Sequence, residues 1–180
     1  MKNPFKAFDN FFINLINKKI RNRFFDFFFY YFTNLGGLIS LVSLTLILLL
    51  FPGDRYRYLG IQLGMTLVLS GIIVQLLKRI FTRNRPYWIL DNLNTYGLDL
   101  SDYSFPSGHS AASFSVAMIL ALNIPKYAFV FLIVAFLIAI SRIYLAVHYP
   151  TDVTAGIIIG IISSLIVYYK LYPFLIMNRI

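Results

Sequence analysis

The chain is 180 residues long and 59% hydrophobic, 18% aromatic and only 13% charged, with sixteen Lys and Arg, seven acids that are all Asp, two His and no Cys. This composition excludes a soluble domain and predicts one membrane-embedded domain over 1–180, while the lack of Cys excludes disulfides, thiolate catalysis and thiolate metal sites. A formal charge of +9 on so apolar a chain fits lipid headgroups or phosphate as partners and gives nucleic acid no support.

At the N-terminus, Phe5, Phe8, Phe12, Leu15, Ile16 and Ile20 recur at helical spacing opposite Lys6, Asp9, Asn10, Asn14, Asn17 and Lys18. That pattern predicts an amphipathic helix lying in the membrane interface, within a segment 5–34 that does not span. No small-residue cleavage site follows, which argues against a secretory signal. The aromatic run 24–32 either extends the first span or anchors it at headgroup level.

Apolar stretches at 35–51, 59–77, 127–147 and 153–169 are long enough to cross hydrocarbon. A fifth, 107–123, opens with small polar residues and still reaches about 25 Å at the helical rise. Pro52-Gly53-Asp54, Asn123-Ile124-Pro125-Lys126 and Tyr149-Pro150-Thr151 end helices with turn chemistry. The expected fold is therefore an all-α membrane bundle of about five transmembrane helices plus the interfacial helix. Gly60-(x3)-Gly64 and Gly156-(x3)-Gly160 read as close-packing pairs. One connection, 86–105, is not a tight hairpin, and it carries Asp91, Asp99, Asp102 and the only Trp, Trp88.

Five spans bring three polar clusters within 78–152 to one membrane face: Lys78-(x6)-Arg85-Pro86, Pro106-Ser107-Gly108-His109 and Ser141-Arg142-(x5)-His148-(x3)-Asp152. Arg142 lies inside an apolar segment, where an unpaired cation is costly, and so calls for an anion. Hydrolysis of a phosphate ester needs neutralised equatorial oxygens, an in-line nucleophile and a proton for the leaving oxygen. Arg85 and Arg142 are suited to bidentate phosphate binding and Lys78 to supplying a point charge. Ser107 and Gly108 open a helix whose free N–H groups suit an oxyanion. A neutral His148 is a nucleophile, Asp152 is near enough in sequence to accept its other N–H, and His109 is placed to protonate the leaving oxygen. Each residue also has a bland reading: an interfacial His, a snorkelling basic run at Lys78, Arg79, Arg83 and Arg85, a helix-start Pro106, a capping Asp152. The clustering weighs against those readings.

The three clusters, in order and spacing, resemble the signature motifs of the type 2 phosphatidic acid phosphatase superfamily, strictly over 78–152. The resemblance implies a helical-bundle lipid phosphatase that needs no metal or other cofactor. By that likeness His148 is the nucleophile, Asp152 orients it, His109 is the general acid, and Lys78, Arg85, Ser107, Gly108 and Arg142 bind phosphate. The chain is similar to the family's short undecaprenyl-diphosphate phosphatases, with an interfacial helix where other members have an extra span. Undecaprenyl diphosphate is thus the leading substrate expectation, beside phosphatidylglycerophosphate, phosphatidate and the 1-phosphate of lipid A. The other expectations are a phosphotransferase using the same phosphohistidine, a soluble vanadate-binding haloperoxidase, against which five spans argue, and a non-catalytic lipid transporter, for which some motif residues should be missing. The site side carries eleven Lys and Arg against five, which by the positive-inside rule favours the cytoplasm. The resemblance implies a multi-pass cell-membrane protein with its site on the extracytoplasmic face, and is preferred.

Overall fold

The computed structural model describes residues 4–177; Lys2 and Arg179, which enter the charge count, lie outside the described residues. Those residues form nine α-helices and no strand: α1 Pro4–Asn14, α2 Arg23–Phe32, α3 Leu38–Leu50, α4 Asp54–Phe81, α5 Pro86–Ile89, α6 Gly108–Asn123, α7 Ala128–Tyr144, α8 Pro150–Ile166 and α9 Tyr172–Met177. Short 3₁₀ or π turns continue or precede several of them. The chain is an all-α membrane bundle, as expected, but the spans are uneven. The helical stretches Asp54–Ile89, Pro125–Tyr144 and Pro150–Leu175 are long and apolar enough to cross a membrane, and Arg23–Gly36 with Leu38–Leu50 make a fourth if that pair, bent by 48°, is one span. The expected span at 35–51 is therefore broken at Gly36-Gly37. The expected span at 107–123 is the 16-residue α6, about 24 Å long.

Helix α6 is central, packed against α4, α7 and α8. Its small side chains make this possible: Ser110, Ala111, Ser113, Ser115, Ala117 and Ala121 are all buried. Helix α8 approaches so closely that a Cβ on Gly156 would lie 2.5 Å from the Ser107 carbonyl oxygen, and one on Gly160 would collide with that of Ala111. Ser164 Oγ closes the same seam, donating to the Ser115 carbonyl at 3.0 Å as well as within its own helix. Gly60 likewise lets α4 meet Leu49 of α3.

The N-terminal helix is amphipathic, with Phe5, Phe8 and Phe11 exposed and Ile13 buried. Part of its polar face turns toward protein rather than water. Asp9 and Asn17 are fully buried, and Asn17 Nδ2 donates to the carbonyls of Tyr144 at 2.6 Å and Asn94 at 3.0 Å. The aromatic run forms a separate helix, α2, started by Asn22, whose side chain accepts from Phe25 N at 2.9 Å. Asp26 of α2 accepts from the hydroxyls of Tyr96 and Tyr144, fastening the 86–105 connection to α7. The bundle thus holds the starts of α6 and α8 and the end of α4 at one end, under that connection.

Candidate active site

His148 sits in the turn 145–149 between α7 and α8, 2% exposed. Its backbone N–H and that of Val147 both donate to the Arg142 carbonyl at 3.2 Å, so the turn folds back on the end of α7. The imidazole Nδ1 lies 2.7 Å from the Ser104 carbonyl oxygen. A carbonyl only accepts, so Nδ1 carries the proton and Nε2 keeps its lone pair. Nε2 stands 3.5 Å from Arg85 Nη1. Burial pushes the imidazole pKa down to about 4, with Arg142 and Arg85 adding to the effect and Asp152 opposing it; the ring is neutral at physiological pH.

Asp152 does not take the His148 N–H directly, as the sequence led us to expect. Its Oδ2 is 3.8 Å from Nδ1, and the carboxylate is saturated elsewhere. Oδ2 accepts from Tyr149 N at 2.8 Å and from Ser104 Oγ, and Oδ1 from Arg83 Nη1 at 2.6 Å. The physical reason is its place as third residue of α8, where it caps the helix start in a capping box with Tyr149. Ser104, whose carbonyl holds the imidazole and whose hydroxyl holds Asp152, joins the two.

Lys78 and Arg85 converge from the end of α4 and the turn after it. Both pair with the carboxylate of Asp102, and their remaining donors hold the backbone of the same stretch: Lys78 Nζ to the Tyr103 carbonyl and Arg85 Nε to that of Asp102, each 2.8 Å. Arg85 Nη1 also donates to the Val147 carbonyl at 2.8 Å, tying it to the turn that carries His148. Burial alone would raise the Asp102 carboxyl, but Lys78 and Arg85 outweigh it and hold the group down at about 2. Arg142, 4% exposed, donates through Nη1 to Thr33 Oγ1 at 2.8 Å, and its Nε has no hydrogen-bond partner among the described residues. A buried guanidinium N–H left open in this way is suited to an anion.

Helix α6 starts at the same place. Ser107 caps it, its Oγ accepting from Ser110 N at 3.4 Å and Ser110 Oγ at 2.9 Å, and Ser107 N donates to the Asp152 carbonyl at 3.0 Å. His109 follows, its ring against Gly36 and Gly37. With Gly108, Asp102, Ser70 and Gln75 it lines a cavity of about 410 Å³, whose other walls, such as Leu38, Leu67 and Val74, are apolar.

The structure therefore brings Lys78 and Arg85 together on Asp102, sets Arg85 beside His148 and joins Ser107 to Asp152, while His109 and Gly108 share the cavity with Asp102 and Arg142, on α7, is within electrostatic reach of Arg85 and His148. Sequence reasoning missed Asp102 and Ser104 as site residues, and also Arg83 and Asp9, which stand behind Asp152. The available signal was that Asp102 and Ser104 lie just before Pro106-Ser107-Gly108-His109, in the one long connection. Among the described residues, no group of three or more His, Asp or Glu side chains is arranged to hold a metal ion.

Residues 59–175 match the family model of the PAP2 superfamily. A Bacillus licheniformis protein named bacitracin transport permease protein BcrC is 32% identical over 115 residues, covering 64% of this chain and 57% of its own. An undecaprenyl-diphosphatase of Sulfolobus acidocaldarius is 32% identical over 120 residues, 66% of this chain and 57% of its own. A lipid A 1-phosphatase of Rhizobium johnstonii is 35% identical over 117 residues, 61% and 46%. The chain spans about half the length of these curated relatives. The crystal structure of Aquifex aeolicus LpxE superposes with a TM-score of 0.80 at 32% identity, covering 90% of this chain and 95% of that one. With the family model matched from α4 into α9 and the three motifs gathered at one end of the bundle, the chain belongs to the PAP2 superfamily.

Proposed function

We propose that the chain is a membrane lipid phosphatase that removes phosphate from a lipid phosphate or diphosphate through a phosphohistidine intermediate. The observation that carries this reading is the state of His148: buried, neutral, its Nδ1–H committed to the Ser104 carbonyl and its Nε2 lone pair beside the Arg85 guanidinium. Nε2 attacks phosphorus as the P–O bond to the leaving group breaks. His109 protonates the departing oxygen, then takes a proton from the water that cleaves the N–P bond and releases inorganic phosphate. Lys78, Arg85 and Arg142 neutralise the equatorial oxygens, with the Gly108 N–H and the Ser107 hydroxyl as further donors, the Ser107 N–H being committed to the Asp152 carbonyl.

Undecaprenyl diphosphate is the leading substrate, supported by the relative named for that activity. Lipid A 1-phosphate is the second reading, supported by the Rhizobium relative. The lipid tail stays in the bilayer while the headgroup enters the cavity beside His109. The site faces the extracytoplasmic side of the cell membrane, a reading supported by the motif resemblance. The test is a phosphate-release panel over purified lipid phosphates and diphosphates in detergent, with EDTA present. The expected outcome is release of inorganic phosphate from a diphosphate lipid, abolished by His148→Ala in a variant that remains folded. Turnover retained in that variant excludes the nucleophile, a strict need for Mg²⁺ excludes the metal-free route, and phosphate release only to an added acceptor identifies a transferase.

A further inference from the structure

Behind the nucleophile lies a charged cluster that the reaction scheme leaves unused. Arg83, two residues before Arg85 in the link between α4 and α5, spreads its guanidinium between two buried acids: Nη1 donates to Asp152 Oδ1 and Nη2 to Asp9 Oδ2, both at 2.6 Å. Nη1 also reaches Thr151 Oγ1 at 2.7 Å, and the guanidinium lies 4.0 Å over the Tyr149 ring. Asp9, from the N-terminal helix, accepts further from Thr151 N at 3.0 Å and Thr151 Oγ1 at 2.7 Å. These contacts pin the first turn of α8 from outside while Ser104 and Tyr149 pin it from inside.

We infer that Arg83 and Asp9 are positioning residues for the reaction: Asp9 orients Arg83, Arg83 fixes the Asp152 carboxylate, and the N-terminal helix is thereby a working part of the catalytic site. This inference rests on the phosphohistidine reading. Asp152 has Tyr149 N and Ser104 on one oxygen and Arg83 on the other, so without Arg83 its orientation, and that of Ser104, rests on Oδ2 alone. The planar fork offers a separate nitrogen to each carboxylate, a spacing that a single ammonium nitrogen does not reproduce. The charge count matters as well. Two acids against one guanidinium leave a net negative charge behind His148, whose ring gains positive charge as it attacks phosphorus. The other charged groups facing His148 are Arg85 beyond α4 and Arg142 of α7, with His109 of α6 also within electrostatic reach.

A mere strut and a charge-positioning pair differ in a readable sign. Arg83→Gln removes a cation next to Asp152 and makes the His148 proton easier to bind, so its titration midpoint rises. Asp9→Asn removes an anion at nearly constant shape, and the midpoint falls. The experiment uses the full chain in detergent, with the His148 midpoint followed by NMR of labelled imidazole, kinetics on undecaprenyl diphosphate, and rapid-quench trapping of ³²P-phosphoenzyme. For Arg83→Gln we expect kcat to fall on the order of 10²-fold with KM nearly unchanged, the loss typical of a misplaced reacting group, and Arg83→Lys to restore little of it. Midpoints that stay put in both variants, or move in the same direction, overturn the inference. So does a rise in KM at constant kcat, which would make Arg83 a substrate ligand. Asp9→Asn keeps the test open if Arg83→Gln fails to fold. Wild-type enzyme that forms no acid-labile phosphoenzyme overturns the phosphohistidine reading itself, whereas wild type and Arg83→Gln forming it equally fast overturn the inference alone.

Discussion

A phosphate approaching Lys78 and Arg85 meets a carboxylate already between them. Because Asp102 is held near pKa 2, it stays charged at every pH the enzyme meets, so protonation does not release the cations and only a competing anion does. Asp102→Asn should therefore strengthen inhibition by inorganic phosphate on the order of tenfold and lower KM, the size of one removed charge–charge competition; weaker phosphate inhibition would make Asp102 a support of the cations instead. His148 gives a second check. Its pKa in the folded chain is about 4 against an ordinary 6.5, so between those values the unfolded chain binds a proton that the folded one does not. Stability then falls as pH drops from about 6.5 toward 4 and levels off below. Imidazole NMR in detergent, with His109→Asn to assign the signals, should find the His148 midpoint near the lower value, and a midpoint at 6.5 would refute the downward shift by burial. Lys78, Arg85 and His148 were legible as one group from motif spacing. Asp102, Ser104, Arg83 and Asp9 were not, because an acid in a polar loop or on an amphipathic helix looks the same whether it is solvated or paired. The partner of Asp9 is 74 positions away in sequence.

Among the elements, the seam between α6 and α8 sets the geometry of the site, since it carries Ser107 and His109 on one side and Asp152 on the other. A methyl group at Gly160 meets backbone atoms of Ala111 and Ser115, which cannot give way as a flexible side chain would. Gly160→Ala should cost about 1–3 kcal/mol through overpacking, read as a lower melting temperature in detergent, with activity falling in parallel. Gly64→Ala is the control, because its added methyl lies at an ordinary 3.6 Å from Thr45 Cγ2 and should be tolerated. The small-residue spacing marked this seam in the sequence. The N-terminal helix was legible as amphipathic, but periodicity separates two faces without saying which one meets protein, and here Asp9 and Asn17 turn inward while Phe5, Phe8 and Phe11 face out.

At the scale of the whole molecule, hydropathy was enough to identify a membrane bundle, but not its regularity. Length rules treat every helix as if it met lipid, whereas α6 is walled by its neighbours and needs small side chains more than hydrophobic reach. Sidedness is testable because the chain has no cysteine of its own. Cysteines placed at the exposed positions Asp91 and Lys126 should react differently with an impermeant maleimide in intact cells, Asp91→Cys labelled and Lys126→Cys protected. The reverse pattern would put the site in the cytoplasm, and equal labelling would refute an odd number of crossings between them. The strip 102–104 links these scales. Its first residue occupies the cations and its third grips the His148 imidazole, so one short piece of backbone joins the two, and on the proposed function it acts as a lever between headgroup and His148. On that function, a headgroup that displaces Asp102 without dragging the strip would leave the imidazole seated and react, whereas one that drags the strip would unseat it. Discrimination among lipids would then show as idle occupancy: poor substrates that block the enzyme as competitive inhibitors while turning over slowly.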